Sequence, residues 1–207
     1  IVSRGLGDVY KRQDRMYVTK SNSDARRSAQ FALFEVADIL IRLISPVLVF
    51  TAEEIWQSHE LFKKQSVSIF TAPQKTLSEI ESSISDDDWK KIFAVKDAVN
   101  QSIEKARADS VIKGSLDSKI IISCDKKTYN ALEKIEDELK FVFISSEVEI
   151  AESSSSKLDI EVTNFDQKKC IRCWNKCSSV GLYVEDPEIC SRCYTNVYGD
   201  GEIRKFV

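Results

Sequence analysis

Polar residues thin out along the chain after Arg26, Arg27 and Gln30. Phe31, Leu33, Phe34, Val36, Ala37, Ile39, Leu40, Ile41, Leu43 and Ile44 then cover most sides of a helix that starts near Ser23. Glu35, Asp38 and Arg42 fall at i, i+3 and i+7, so they share one narrow stripe of a helix expected to be otherwise buried. Pro46 should end or kink it, because the ring removes a backbone donor and clashes with the preceding turn. Thr51-Ala-Glu-Glu54 reads as a capping box opening a second helix through Ile55, Trp56 and Leu61. Val67 to Phe70 alternates and predicts a short strand, and Pro73 to Ser85 reads as a linker. Ser85 and Asp86 to Asp88 supply cap and helix-start charge for a third helix, with Ile92, Val95, Val99, Ile103 and Ala106 at helical spacing.

After Gly114 the period shortens. Lys119 to Cys124 is rich in β-branched residues, Lys126 to Leu139 is helix-like, and further strands are expected around Phe141 to Ile150 and Leu158 to Val162, with Ser153 to Ser156 as the turn. The result is a mainly helical front followed by a small α+β segment, with no repeat at solenoid spacing.

Composition narrows the classes. The net charge of −3 with both signs mixed argues against a generally basic nucleic-acid binder, so any such surface is local. The apolar run from Phe31 to Phe50 is broken by charges and Pro46, which excludes an uncharged membrane span there, and the first residues lack a secretory pattern. A cytoplasmic protein with no membrane contact is expected. Residues 1–13, reading IVSRGLGDVYKRQ, have no clear periodicity and resemble read-through from an adapter, so they are expected to be a non-native or disordered extension. An independent clone encoding them in frame would overturn this.

The chemistry sits near the end. Cys170-Ile-Arg-Cys173 is followed by sixteen residues and Cys190-Ser-Arg-Cys193. A two-residue gap lets a tight turn aim two thiolates at one ion, and two such knuckles complete a tetrahedral zinc shell with Zn–S bonds of about 2.3 Å. With all four positions filled by protein, one structural Zn2+ is expected, without an open position for catalysis. Unrelated buried thiols or a redox CxxC are the alternatives. Cys177 lies outside the symmetric set, and Cys124, in an apolar run, reads as a buried inert thiol.

At these residues a resemblance appears. CIRCWNKCSSVG and EDPEICSRCYTNVYGDGEIRKFV are similar to the C-terminal zinc peptide of bacterial isoleucyl-tRNA synthetases. DRMYVTKSNSDARRSAQFAL, SPVLVFTAEEIW and NQSIEKARADSVIKGS resemble the anticodon-binding helical domain of that family and the helix that follows it. The resemblance covers about 14–207. It implies an incomplete helical anticodon-binding domain over 14–112, an α+β segment over 113–165 and a four-cysteine, ribbon-like zinc unit over 166–207. It also implies isoleucine tRNA as partner, through its anticodon stem and loop, and a monomer working with a catalytic body. The family's HIGH and KMSKS signatures are absent, so its ATP and Mg2+ belong to a catalytic domain that this sequence does not contain.

On that reading Arg15, Lys20, Arg26 and Arg27 are candidate phosphate contacts. Around the zinc unit, Arg172, Lys176 and Arg192, with Lys168 and Lys169, surround Trp174 and Tyr194, which are suited to stack on unpaired bases. The plainer reading leaves Arg26 and Arg27 solvated and packs Trp174 over its knuckle. His59 and Trp56 read as packing residues, and no catalytic constellation is evident. Two competing functions remain. One is a DNA-repair finger like that of formamidopyrimidine-DNA glycosylases, which needs an N-terminal proline nucleophile this chain lacks. The other is a zinc module that binds protein.

Overall fold

The computed structural model describes residues 14–76, 82–155 and 157–206, so the opening extension, part of the expected linker and Ser156 lie outside the described residues. The chain divides into two compact units, Arg27–Glu81 and the combination of Ile1–Arg26 with Ser82–Val207.

The Arg27–Glu81 unit is built on α1 (Asp24–Ile44), whose first turn belongs to the other unit, with α2 (Val49–Ser58) and the short α3 (Glu60–Lys63). Phe34, Ala37, Ile41 and Ile44 recur at helical spacing and pack on Trp56, Phe62 and Ile69. The Phe34 ring stacks on Phe62 at 5.0 Å, and Phe62 stacks on Trp56 at 5.2 Å. The buried indole donates to the Ser66 carbonyl at 2.9 Å, which satisfies its polar edge.

The charged stripe of α1 faces inward, against expectation. Asp38 is wholly buried, whereas Phe31, Val36, Leu40 and Leu43 are each more than half exposed. The reason is pairing. Asp38 accepts from Arg42 Nε at 2.7 Å, Lys75 Nζ at 2.8 Å and Gln65 Nε2 at 3.2 Å, and Arg42 also lies over the Trp56 ring. Burial opposes the Asp38 charge, but hydrogen bonds from Lys75, Arg42 and Gln65 outweigh it and hold the carboxyl below its ordinary range.

Two local expectations also change. Helix α2 begins at Val49 behind Leu48, so Thr51 is not its cap; Glu53 instead accepts from Ser68 Oγ at 2.8 Å and from the Ile69 amide at 3.1 Å. That contact and the Ser68 cap favour a 3-10 turn at Ile69–Thr71 where a strand was expected, since a lone strand has no ladder partner.

In the larger unit, α4 (Asp86–Ala108) starts as the sequence predicts, with Ser85 Oγ accepting from the Asp88 amide at 3.2 Å. Its Ile92, Val95, Val99 and Ile103 pack on the sheet, so this helix, grouped by sequence with the front half, forms a wall of the α+β core. Strand β1 (Ser118–Cys124) is central, between parallel β2 (Glu147–Glu152) and antiparallel β3 (Asp159–Asn164). Ile120, Ile122 and Cys124 alternate inward, and burial raises the Cys124 thiol, in keeping with an inert core residue. Between β1 and β2 lie α5 (Lys126–Glu133) and α6 (Leu139–Phe143). Phe141 to Phe143 is therefore helical rather than extended: Leu139, Val142 and Phe143 bury one helical face, and Ile144, at φ 56°, turns the chain into β2. The last helix, α7 (Ser191–Tyr198), begins immediately after Cys190.

Candidate metal centre

The structure brings Cys170, Cys173, Cys190 and Cys193 together, with all four sulfur atoms within 4.8 Å of one another and every residue buried. The first pair sits on a turn closed by the Trp174 amide donating to the Cys170 carbonyl at 2.9 Å, and Trp174 takes the left-handed conformation at φ 65°. The second pair straddles the start of α7. There the Cys190 amide donates to Cys170 Sγ at 3.3 Å, tying one knuckle to the other.

The donor set fits a tetrahedral ion. Bonds of about 2.3 Å to Zn2+ place sulfurs about 3.8 Å apart, and Cys173 Sγ and Cys190 Sγ are separated by 3.7 Å. Four thiols at this spacing cannot all ionise alone. Hydrogen bonds from Cys173, Cys190 and Cys193 hold Cys170 far down. At Cys173 the competing demand of Cys170 is outweighed by Cys190, Cys193 and the Arg192 charge, leaving it near 6. Cys190 and Cys193 are pushed up, first by their hydrogen bonds to Cys170. A divalent cation removes that conflict by displacing the remaining protons. Cys177 lies outside the four-sulfur group; its sulfur is 3.0 Å from Ser179 Oγ.

The basic candidates have different surroundings. Arg15 donates to the Ala25 carbonyl and Lys20 Nζ to the Gly199 carbonyl at 2.8 Å. Arg172 donates to the Val18 carbonyl at 2.6 Å and the Tyr17 carbonyl at 3.1 Å. Arg192 pairs with Asp14 at 2.8 Å and Glu202 at 3.3 Å, beside the Phe141 ring. Lys176 Nζ bonds Asn164 Oδ1 at 2.9 Å. These five side chains hold the fold of their own unit. Of the others, Arg27 is exposed with a bond to Gln30, Arg26 is half-buried, and Trp174 is exposed. Tyr194 stacks on Tyr183 with centroids 3.8 Å apart, so one face of the ring is already covered.

Sequence reasoning missed Asp14, Glu202 and Arg204, which complete the polar network around Arg192, and Glu138, which holds the tail after it. Glu138 accepts from the Lys205 and Phe206 amides, and Arg204 pairs with Asp14. Asp14 lies 190 residues from Arg204, and no local pattern signals such a pairing.

Residues 2–122 match the family described as the anticodon-binding domain of tRNA ligase, a match that takes in all but the first of the opening thirteen residues. The chain is 37% identical over 214 residues to the isoleucine–tRNA ligase of Shewanella putrefaciens, and 38% identical over 211 residues to that of Pseudoalteromonas translucida. Each alignment covers 96% of this chain and 22% of the relative. The isoleucine–tRNA ligase of Psychrobacter arcticus is 36% identical over 226 residues, covering 99% of this chain and 24% of the relative. This coverage carries the likeness past the family match and through both cysteine pairs, while the chain spans about a fifth of the length of these relatives. The chain belongs to the family of anticodon-binding domains of tRNA ligases.

Proposed function

We propose that this chain is the tRNA-binding part of an isoleucine–tRNA ligase, an enzyme that joins isoleucine to its tRNA with ATP and Mg2+ on a catalytic body elsewhere in the longer protein. The observation that carries the reading is the likeness to isoleucine–tRNA ligases across nearly the whole chain. The division into an anticodon-binding part over 14–112, an α+β segment over 113–165 and a metal unit over 166–207 belongs to this reading, with α4 serving also as a wall of the α+β core. Cys170, Cys173, Cys190 and Cys193 hold one Zn2+, whose contribution is structural cross-linking: it joins the two knuckles and fixes what surrounds them.

Isoleucine tRNA is the partner, through its anticodon stem and loop. Arg26, Arg27 and Trp174 are the candidates best placed for it, the first two for phosphates and the third for a base. Arg15, Lys20, Arg172, Lys176 and Arg192 remain candidates only where their charge acts without leaving their internal bonds. A cytoplasmic monomer is part of the proposal; among the described residues no helix is long and apolar enough to cross a membrane.

The test is retention of isoleucine tRNA by the purified chain across a salt series. Binding should fall steeply with salt, and Arg27→Ala and Trp174→Ala should weaken it. Equal retention of a scrambled hairpin would overturn specific recognition. The chain alone should give no aminoacylation, and measurable charging would overturn the division of labour.

A further inference from the structure

Both knuckles carry an arginine just before their second cysteine, Arg172 before Cys173 and Arg192 before Cys193. Both reach one distant segment, the turn Asp14–Val18 and the residues leading from it. Arg172 takes the carbonyls of Tyr17 and Val18, and Arg192 takes the carboxylate of Asp14. Val18, 1% exposed, packs in the same cluster as the four cysteines. The tail closes the other side. Lys20 holds the Gly199 carbonyl, Arg204 pairs with Asp14, and Gly201, at φ 91°, lies so near Lys20 that an added Cβ would come within 3.0 Å of its Cβ.

We propose that Arg172 and Arg192 are positioning residues that link metal loading to the docking of the segment Asp14–Lys20, the stretch that leads into α1. The inference rests on the metal reading above. Each arginine is fixed to its knuckle by the neighbouring cysteine, so it can grip the segment only while the knuckle is shaped. The ion shapes both knuckles at once. A four-thiolate site with a divalent ion carries a net charge of −2, and Arg192, next to Cys193 in the chain, places a cation beside it. Linkage is reciprocal: if metal stabilises the docked segment, the docked segment raises metal affinity by the same factor. Asp14, which donates nothing to the ion, therefore influences how tightly the ion is held.

The test uses the full chain with zinc alone as the probe. Zinc affinity is measured by competition with a chromogenic chelator, and amide hydrogen exchange is followed over 16–20 with β1 as internal reference. Stripping zinc should speed exchange over 16–20 while β1 stays protected. Asp14→Ala and Arg172→Gln should each weaken zinc by about 10- to 100-fold, the range for groups that orient metal ligands, yet still load fully at saturating zinc. Arg192→Lys should retain more affinity than Arg192→Gln. If Asp14→Ala does not fold, Asp14→Asn makes the same comparison. Unchanged affinity in the Asp14 and Arg172 variants, or unchanged exchange over 16–20, overturns the linkage and leaves the metal site standing. A folded wild-type chain that takes up no zinc overturns the metal reading itself, and the linkage with it.

Discussion

The Arg27–Glu81 unit and the larger unit solve opposite problems. In the larger unit apolar side chains fill the space between α4 and the sheet, and the four cysteine thiols gather in a second buried cluster. In Arg27–Glu81 the core is a short aromatic stack with a wholly buried carboxylate, while the outer stripe of α1, Leu33, Val36, Leu40 and Leu43, stays exposed. An apolar residue is thus no guarantee of burial, nor a charged one of exposure. What decides is whether a partner satisfies the group: Asp38 has three, and Leu40 stays 54% exposed.

The sharpest way to break this comparison is to remove one of the four clustered thiols. Under the proposed zinc reading, Cys190→Ser should abolish stoichiometric zinc and unfold the knuckles and α7 while leaving β1 protected, because structural zinc contributes about 10–16 kcal/mol of binding energy in zinc-finger peptides. Metal analysis with hydrogen exchange reads both parts, and a variant that keeps one zinc per chain would assign Cys177 as a replacement ligand.

Next comes the contrast inside α1. Asp38→Ala leaves Lys75 and Arg42 facing a buried gap and should cost about 3–5 kcal/mol, the range for breaking a buried ion pair. Leu40→Glu should change stability by no more than about 0.5 kcal/mol, as an exposed substitution, and should improve solubility. Urea unfolding followed by Trp56 fluorescence, in a background with Trp89→Phe and Trp174→Phe, compares the two. The opposite ranking would mean that α1 faces the other way.

The smallest effect belongs to the larger unit. Asp88 is held down to about 2 by hydrogen bonds from Lys134 and Ser85. Its folded value lies below the ordinary 3.8, so its stabilisation is fully present above about pH 4 and fades as pH falls through 2. Asp88→Asn should therefore destabilise the chain at pH 7, and the difference from wild type should shrink as pH approaches 2. A difference that stays constant with pH would assign the effect to the cap geometry.

Much of the local structure was legible because it is local. Pro46 closes α1 close to where its ring predicts, Ser85 caps α4, and alternation around Ile120 and Ile122 marks a strand. The strand expected at Phe141 failed for a related reason: a short apolar run satisfies either period, and the spacing of Leu139, Val142 and Phe143 let packing choose the helix. Thr51 failed because cap chemistry is common, and the cap position falls three residues earlier, at Leu48.

The sequence by itself determined that two CxxC turns exist, since such a turn is fixed by four adjacent residues. It equally determined where the main helices lie and, through its likeness to a family, what kind of protein carries them. Only the tertiary structure decided that Asp38 is inside and Leu40 outside, and that Arg15, Lys20, Arg172, Lys176 and Arg192 are spent on internal partners of the fold. It alone joined Asp14 to Arg192 and Arg204. Partners as far as 190 residues away in the chain take part in those outcomes, and a sequence pattern carries periodicity over a few turns but no distance between its ends.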